Sequence, residues 1–377
     1  MINQETHKIH VIHLFKSYFP ETFGGIEKVI ELICRLLRKD GVQSDIHVLS
    51  DNTKQKLIEV DGTPVTRSIR IGYIATTPFS LNAFRDFRAL RTPNSLIHIH
   101  SPYPLGEILF LLFGRKMKSV VTYHSDIVGY EFLYFFYKPL QYLFLKKVDV
   151  IVATSEKYKE SSAVLKKFAP KVKVIPLGIS DDWDKVAETE LAPKVTEVLM
   201  SDYMLFLGAL RGYKGLKVLL EAAKKTKSQI IIAGDGPLKE DLERIIKTQS
   251  IKNVTLLGAV TEQEKNALLS NCSALVLPST MRSEAFGIVL LEASAHSKPM
   301  ISTKLGTGTD LINQHMETGL VVSKKSANDL ASAMNFLIDN QHVRLEMGQK
   351  ARLLFEQKYT AKVMSQHYLD LYKELQN

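Results

Sequence analysis

A chain of 377 residues, 45% hydrophobic and 24% charged, is too long for one ordinary core and fits a globular protein of two domains. Its net charge of +9 lies wholly in residues 1–180, which carry 25 Lys and Arg against 16 Asp and Glu. No apolar run has the roughly 20 residues that a membrane span needs, and neither a signal peptide nor a nucleic-acid-binding signature is found. Cys34 and Cys272 lack metal or redox spacing, so we expect free thiols in a reducing cytosol.

Strands and helices alternate along the first half of the chain. The predicted strands are Ile9–Phe15, Ser44–Leu49, Ser95–His100, Ser119–His124 and Val148–Thr154. The predicted helices are Ile26–Arg38 and Leu105–Phe113. This alternation is typical of a parallel sheet with helices on both faces, and so predicts an α/β fold.

The second half repeats the pattern. The predicted strands are Met204–Gly208, Gln229–Gly234, Val254–Leu257, Ser273–Pro278, Pro299–Ser302 and Gly319–Val322. The predicted helices are Leu216–Lys224, Lys239–Thr248, Glu262–Ser270 and Ile288–His296. We therefore expect two facing doubly wound domains, 1–180 and 181–357, with a ligand in the cleft between them, beyond the carboxyl ends of the strands. Residues 358–377 would form a surface helix that returns to the N-terminal domain.

Two carboxylates eight residues apart, Glu284 and Glu292, flank the start of one predicted helix. Glu284 lies on the strand-to-helix loop, and Glu292 lies about one turn into the helix. The helix N-terminus offers unpaired N–H groups and a partial positive charge, which suit a phosphate. Carboxylates would repel phosphate, but they accept hydrogen bonds from the hydroxyls of neutral polyols. Phosphate and polyol together suggest a sugar nucleotide.

A loop with two cations runs from Gly208 to Gly215, between a predicted strand and a predicted helix. Arg211 can bind a diphosphate with two hydrogen bonds, whereas Lys214 acts as a mobile point charge. Taken alone, the loop has an alternative interpretation as a solvated turn with ordinary surface cations. Further glycine-rich strand ends at Gly234 and at residues 306–309 favour the phosphate-binding interpretation.

The first strand is followed by Gly24 and Gly25, which would let the backbone approach a ligand closely. The full GxGxxG fingerprint is absent, so a nicotinamide enzyme is disfavoured, and a simple tight turn remains an alternative. His124 ends another strand, where it would orient a substrate hydroxyl, shuttle a proton or serve the structure alone.

Metal binding is not expected. Asp182 and Asp184 have a spacing that can hold a metal bound to a sugar diphosphate, but in a linker they fit a solvated acidic hinge better. His98 and His100 are interpreted as structural or acceptor-side residues. No nearby carboxylate or thiolate completes a zinc ligand set.

Residues 132–147 are rich in aromatic side chains and are flanked by lysines. Such a composition suits a bilayer interface, but it also suits a core-packing pair of helices broken at Pro139. The positive charge of the first half leaves three explanations open: an anionic membrane surface, an anionic acceptor, or solubility.

In order along nearly the whole chain, these motifs resemble retaining glycosyltransferases of the large GT-B family 4. The resemblance rests on the Glu-x7-Glu pair of residues 284–292, the Gly-Gly loop and the Gly-Asp-Gly-Pro of residues 234–237. The wording of residues 123–128 (Tyr-His-Ser-Asp-Ile-Val) and 282–288 (Arg-Ser-Glu-Ala-Phe-Gly-Ile) is similar to bacterial O-antigen mannosyltransferases and D-rhamnosyltransferases. Those enzymes use GDP-sugars and extend a lipid-carried glycan at the cytoplasmic face of the membrane.

The resemblance implies a role for each motif residue. The catalytic residues would be Glu284 at the donor sugar, Lys214 at the departing diphosphate and His124 near the reacting end of the sugar. The donor-binding residues would be Gly24, Gly25, Gly208, Arg211, Gly234, Phe286, Gly287, Ile288 and Glu292, the last of them at the ribose. One departure is Ala209, which stands where the family usually has an arginine, and we expect Arg211 to supply that charge instead.

The function expected from this resemblance is retaining hexosyl transfer from GDP-mannose or GDP-D-rhamnose to a polyprenyl-linked or oligosaccharide acceptor, without a metal cofactor. The enzyme would be cytoplasmic and peripheral on the cell membrane. Three alternatives stay open: a family 4 enzyme that uses UDP-sugars, a sugar-nucleotide epimerase, and a non-catalytic nucleotide-sugar-binding membrane scaffold.

Overall fold

The structure, a computed structural model, describes residues 9–22, 24–52, 55–74, 77–127, 131–180 and 190–377. The chain divides into two compact units. The N-terminal unit comprises Met1–Gly178 together with Ala361–Asn377, and the C-terminal unit comprises Ile179–Thr360. The domain boundaries predicted from the sequence, after residues 180 and 357, lie within three residues of these divisions.

The N-terminal unit is built on an eight-stranded sheet in the order β10-β9-β8-β7-β1-β2-β4-β3. Its strands are β1 His10–Leu14, β2 Gln43–Ser50, β3 Leu57–Val60, β4 Thr63–Ile69, β7 Ser95–Ser101, β8 Ser119–Tyr123, β9 Val150–Ala153 and β10 Val172–Val174, and a separate hairpin is formed by β5 Gly72–Ile74 and β6 Thr77–Phe79. Every pair in the large sheet is parallel except β3 with β4.

The helices of this unit are α1 Gly25–Arg38, α2 Asn82–Leu90, α3 Pro104–Leu109, α4 Glu131–Lys147, α5 Glu156–Ser161, α6 Ala163–Lys167 and the C-terminal α15 Ala361–Gln376. Helices α2, α5 and α6 were not predicted from the sequence, and two other helices differ from the prediction. The helix that begins at Pro104 continues as a π-helix over Phe110–Gly114, and α4 runs through Pro139 without a break.

The C-terminal unit contains a six-stranded, wholly parallel sheet in the order β13-β12-β11-β14-β15-β16. Its strands are β11 Tyr203–Leu207, β12 Gln229–Ala233, β13 Val254–Gly258, β14 Ala274–Leu277, β15 Met300–Thr303 and β16 Gly319–Val322. Its helices are α7 Pro193–Val198, α8 Leu216–Ala223, α9 Lys239–Thr248, α10 Glu262–Asn271, α11 Ile288–Ala295, α12 Thr309–Ile312, α13 Ala327–Asp339 and α14 Gln341–Lys358. All residues of β11, β14 and β15 are buried, as expected for parallel strands covered on both faces.

The last helix, α15, completes the N-terminal unit. The hydroxyl of Tyr368 lies 2.8 Å from that of Thr122 on β8, and the hydroxyl of Tyr372 lies 2.7 Å from Nδ1 of His98 on β7. Both tyrosines are fully buried. The chain end therefore covers one face of a sheet that is otherwise made from the first half of the sequence.

Two further features bear on the expectations from composition. Cys34 and Cys272 are free and buried, one in each unit. None of the described helices combines the length and the apolar composition of a transmembrane helix.

Candidate functional site

The strand order of the C-terminal unit contains a topological switch point between β11 and β14. Successive strands proceed from β11 to one edge through β12 and β13, and from β14 to the other edge through β15 and β16. In doubly wound sheets, ligands bind outside the carboxyl ends of the strands at such a point. The loops that leave these two strands, residues 208–215 and 278–287, are the loops that carry Lys214 and Glu284.

A buried ion pair joins the two loops. Lys214 Nζ lies 2.5 Å from Glu284 Oε2, and the Ser279 hydroxyl donates to the same oxygen at 3.0 Å. The two charged side chains are only 11% and 9% exposed. A backbone bond from Thr280 N–H to the Tyr213 carbonyl, at 2.7 Å, fixes the loops to each other. One cation and one carboxylate are thus held together beside the switch point.

Backbone N–H groups line the same position. Gly287, with a φ of 76°, caps helix α11, which begins at Ile288. Among the described residues, no acceptor is found for the N–H groups of Phe286, Gly287 and Ile288. Three adjacent donors at the positive end of a helix form a site where an anion such as a phosphate binds favourably.

The loop at residues 306–309 is hydrogen-bonded to the loop that precedes helix α11. The Thr307 hydroxyl donates to the carbonyl of Glu284, and Gly308 N–H donates to the carbonyl of Ala285, each at 2.8 Å. A side chain at Gly308 would have its Cβ 2.7 Å from Phe286 Cδ2, so the close contact requires glycine. These bonds orient the loop so that its N–H groups stay unpaired.

Glu292 lies in the second turn of α11 and forms an ion pair that the sequence did not reveal. Lys265 on α10 contacts Glu292 Oε1 and Glu262 Oε2, both at 2.7 Å. Burial of Lys265 opposes its charge, but the two carboxylates outweigh this and raise the pKa of its ammonium group. Lys265 therefore stays charged and holds Glu292 in place.

The glycine-rich strand ends pack closely. A Cβ on Gly234, which has a φ of 140°, would lie 2.0 Å from the carbonyl oxygen of Gly208, whereas a Cβ on Gly208 would meet no atom within 4 Å. Gly208 is thus the position where a ligand has room to approach the backbone. Arg211 is exposed on the same loop, close in sequence to Ala209. Whether Arg211 takes over the role of the missing arginine stays a prediction.

The other predicted site residues belong to the N-terminal unit. Gly24 caps α1 and Gly25 is its first residue. The side of Gly24 where a Cβ would lie is occupied by Glu27, whose Oε2 would be 2.3 Å away. Glu27 in turn accepts hydrogen bonds from the hydroxyls of Ser17 and Thr22. A carboxylate therefore stands beside the glycine that was expected to approach phosphate.

His124 directly follows β8, and its backbone N–H donates to the Ser101 carbonyl at 3.0 Å. It is part of a cluster of four buried histidines, with His13, His98 and His100. One nitrogen from each of these last three lies within 4.8 Å of the others, a spacing that a metal ion could bridge. This cluster was not predicted from the sequence, because His13 lies 85 residues before His98 in the chain. Asp182 and Asp184, interpreted as a hinge, lie outside the described residues.

Comparisons with known proteins agree with this geometry. Residues 188–354 match the family described as Glycosyl transferases group 1, and residues 23–183 match Glycosyltransferase Family 4. The chain is 36% identical, over 97% of its length and 99% of the relative, to the O-antigen chain mannosyltransferase C of Escherichia coli. It is 38% identical, over 94% of its length and 93% of the relative, to the D-rhamnosyltransferase WbpZ of Pseudomonas aeruginosa.

Solved structures are similar over almost the whole chain. Sucrose-phosphate synthase from Thermosynechococcus elongatus has a TM-score of 0.79 at 18% identity, and covers 97% of this chain and 99% of its own. HepE of Anabaena, in complex with UDP, has a TM-score of 0.78 at 17% identity, and covers 97% and 100%. At such identities the likeness concerns the fold alone, and it confirms the GT-B fold of two Rossmann-like units.

Proposed function

Because this chain belongs to the group 1 and family 4 glycosyltransferases, we propose that it transfers mannose or D-rhamnose from a GDP-sugar to a lipid-linked or oligosaccharide acceptor. The product would be part of a bacterial O-antigen or related surface polysaccharide. The observation that carries this proposal is the pairing of Lys214 with Glu284 beside the N-terminus of α11, where the N–H groups of residues 286–288 have no acceptor among the described residues. The similarity to a mannosyltransferase and a rhamnosyltransferase supports the choice of sugar.

Positively charged and N–H groups would bind the diphosphate of the donor, and carboxylates would bind the hydroxyls of its two sugars. The N–H groups of residues 286–288 and the Lys214 ammonium attract the diphosphate, while the Glu284 carboxylate accepts a hydrogen bond from a hydroxyl of the sugar. Glu292, held by Lys265, accepts from the ribose hydroxyls. Because Lys214 touches both the leaving group and Glu284, it couples recognition of the sugar to departure of the diphosphate.

We propose a retaining reaction. The bond from C1 of the sugar to the diphosphate oxygen breaks, and its electron pair stays on the diphosphate. The acceptor hydroxyl forms a bond to C1 on the same face, and its proton passes to the leaving phosphate. Lys214 and the helix N-terminus stabilise the charge that develops on the diphosphate, the role that preorganised donors fill in many enzymes. Since these groups supply positive charge, we propose that no metal cofactor is needed.

Donor choice is tested by thermal unfolding with GDP, GDP-mannose, UDP and UDP-glucose. At about one hundred times Kd, a ligand adds about 2.7 kcal/mol to the free energy of unfolding, which raises the melting temperature measurably. We expect a rise with GDP and GDP-mannose. A rise with the uridine ligands alone would favour the second candidate, a UDP-sugar donor, as in the complex of HepE with UDP.

Transfer is tested by incubating the enzyme with GDP-mannose or GDP-D-rhamnose and a polyprenyl-linked glycan. Extension of the glycan with the anomeric configuration of the donor, in the presence of EDTA, is the expected result. An inverted linkage would overturn the retaining mechanism, and loss of activity in EDTA that Mg²⁺ or Mn²⁺ restores would overturn metal independence. An epimerised donor without glycan extension would contradict the transferase assignment.

A lipid-linked acceptor calls for a membrane-facing surface, and helix α4 offers one. Phe132, Phe135 and Phe136 are 77%, 72% and 65% exposed, and the Phe136 ring lies 5.3–5.4 Å from the other two. The exposed Lys138 follows them on the same helix. Of the two interpretations of this segment, the structure therefore supports the bilayer interface for its first half, whereas Phe144 and Leu145 in its second half are buried in the core. We propose that the three phenylalanines, named here the phenylalanine patch, enter the headgroup region of an anionic membrane.

Replacing the three phenylalanines of the patch by serine should remove most binding to vesicles that contain phosphatidylglycerol. The reason is that exposed aromatic rings provide the apolar area that enters the headgroup region, while the basic half of the chain provides attraction that falls with salt. Co-sedimentation with phosphatidylglycerol and with phosphatidylcholine vesicles measures both contributions.

The control replaces Leu345 and Leu353, which are 58% and 56% exposed on α14, by serine. We expect this variant to bind vesicles like the wild type. Equal loss in both variants would show that any exposed apolar residue matters. A patch variant that binds vesicles normally but no longer self-associates would assign the patch to a contact between copies of the chain.

A further inference from the structure

Three of the buried histidines form a chain that ends at the predicted catalytic histidine. His13 Nδ1 lies 3.2 Å from His100 Nε2, and His100 Nδ1 lies 3.1 Å from His124 Nε2. The rings are stacked, with angles of 20° and 21° between successive planes. His13 and His100 are fully buried, and His124 is 6% exposed. We name these three residues the histidine relay.

The relay forms because its three histidines lie on, or directly after, three adjacent strands of the sheet. His13 is on β1 and His100 on β7, two adjacent parallel strands, and His124 directly follows β8, the next strand. Successive strands are added toward one edge of the sheet from β1 and toward the other edge from β7. The relay therefore lies at the topological switch point of the N-terminal unit. His98 is hydrogen-bonded elsewhere, to the hydroxyls of Tyr372 and Thr122, each at 2.7 Å.

All three imidazoles of the relay are neutral near pH 7. Burial lowers the pKa of His13 and that of His124 to about 3, and it lowers the pKa of His100 well below its ordinary value, helped by the neighbouring histidines. A neutral imidazole has one N–H donor and one acceptor nitrogen. Each hydrogen bond of the relay therefore has a direction, and the direction of one bond fixes the next.

Only two arrangements satisfy both hydrogen bonds. In one, His13 Nδ1–H donates to His100, whose Nδ1–H donates to His124 Nε2, so that the proton of His124 is on Nδ1. In the other, every bond is reversed, and the proton of His13 is on Nε2. That nitrogen is buried and has no partner among the described residues. Buried N–H groups without an acceptor are rarer in proteins than acceptors without a donor, so the first arrangement is favoured.

We propose that His13 and His100 are positioning residues that hold His124 in the Nδ1–H tautomer, so that His124 donates a hydrogen bond to a substrate oxygen and does not act as a base. Nδ1 is the nitrogen of His124 for which no partner is found among the described residues. The identity of the oxygen rests on the proposed function: a sugar or acceptor hydroxyl, or the diphosphate. The tautomer itself does not rest on it.

The test is a long-range 1H–15N spectrum of the full chain labelled with 15N-histidine, with His124 assigned from the signals lost in a His124→Gln variant. We expect the pattern of an Nδ1–H imidazole for His124 in the wild type at pH 7.5. An Nε2–H pattern, or a mixture, would overturn the proposal whatever the enzyme transfers.

Two nearly isosteric variants test the relay itself. The amide of His13→Asn can donate to His100, so His124 should keep the Nδ1–H form. In His13→Asp, an ionised carboxylate can only accept, so His124 should change to Nε2–H as that carboxyl ionises, with kcat falling about tenfold while KM for the donor is unchanged, as for loss of one hydrogen bond made in the transition state. If His124 keeps its Nδ1–H form after the carboxyl ionises, or changes its tautomer before the carboxyl ionises, the proposed relay is wrong.

A titration with zinc distinguishes the hydrogen-bonded relay from a metal site. If one equivalent of Zn²⁺ shifts the signals of His13, His98 and His100 together, the cluster is a metal site and the relay is wrong. If Zn²⁺ leaves them unchanged, the hydrogen-bonded arrangement stands. Failure of GDP-sugar transfer with the expected tautomer present would reject the proposed function and leave the relay intact.

Discussion

Replacing Lys214 by alanine is expected to lower kcat by about 10²–10³-fold, the effect of removing one preorganised group that stabilises developing charge. The ammonium group lies 2.5 Å from Glu284 beside the N-terminus of α11. With both side chains nearly buried, water cannot replace the lost charge. Turnover under saturating donor and acceptor measures the effect.

The matched control is Lys217→Ala. Lys217 is on α8, three residues further along the chain, and pairs with Asp241 while 62% exposed. Exposed pairs contribute little, so its kcat should stay within about twofold of the wild type. Unchanged turnover in Lys214→Ala would remove this lysine from the mechanism. A double-mutant cycle with Glu284→Gln then shows whether the pair acts as one unit, since coupled residues deviate from additivity.

Gly215→Ala is expected to cause the largest loss of stability. Gly215 has a φ of 74°, and a Cβ there would lie 1.9 Å from the carbonyl oxygen of Pro278. The left-handed conformation alone costs an alanine about 1–2 kcal/mol, and the clash with backbone at the end of β14 adds to it. We expect the free energy of unfolding to fall by more than about 2 kcal/mol, with loss of GDP binding, because the loop that carries Lys214 must move. Urea unfolding and nucleotide binding measure the two effects.

Gly212 in the same loop supplies the control. It is exposed, and a Cβ there would meet no atom within 4 Å. Gly212→Ala should therefore change the free energy of unfolding by no more than about 0.5–1 kcal/mol, in either direction. Similar losses in the two variants would mean that the contact with Pro278 is not what makes glycine necessary at Gly215.

Much of the fold could be predicted because parallel strands covered on both faces are continuous apolar runs. The apolar run at Tyr203–Leu207, with turn-forming residues after it, predicted a buried strand. Strand β3, Leu57–Val60, was not identified from the sequence, because a strand of four residues at the edge of a sheet is too short to give a clear periodic pattern. Nor did the sequence show that α4 continues through Pro139, where tertiary packing of Phe144 and Leu145 outweighs the local break.

The candidate site could be predicted where its residues are neighbours in sequence and not where they meet through the fold. Glu284 and the glycine after Phe286 were found from one motif. Lys265 was missed, since its partner Glu292 is 27 residues away and α10 carries an ordinary mixture of polar residues. The histidine relay required the register of three strands, and the occupation of the space beside Gly24 by Glu27 required side-chain positions.

The course of α15 has a consequence for the order in which this protein is made. Tyr372 and Tyr368, which pair with His98 and Thr122, are translated only after the whole of the C-terminal unit, Ile179–Thr360. Until then, one face of the sheet lacks its cover and two buried polar groups lack their partners. The N-terminal unit therefore receives its last helix only after the C-terminal unit has been synthesised.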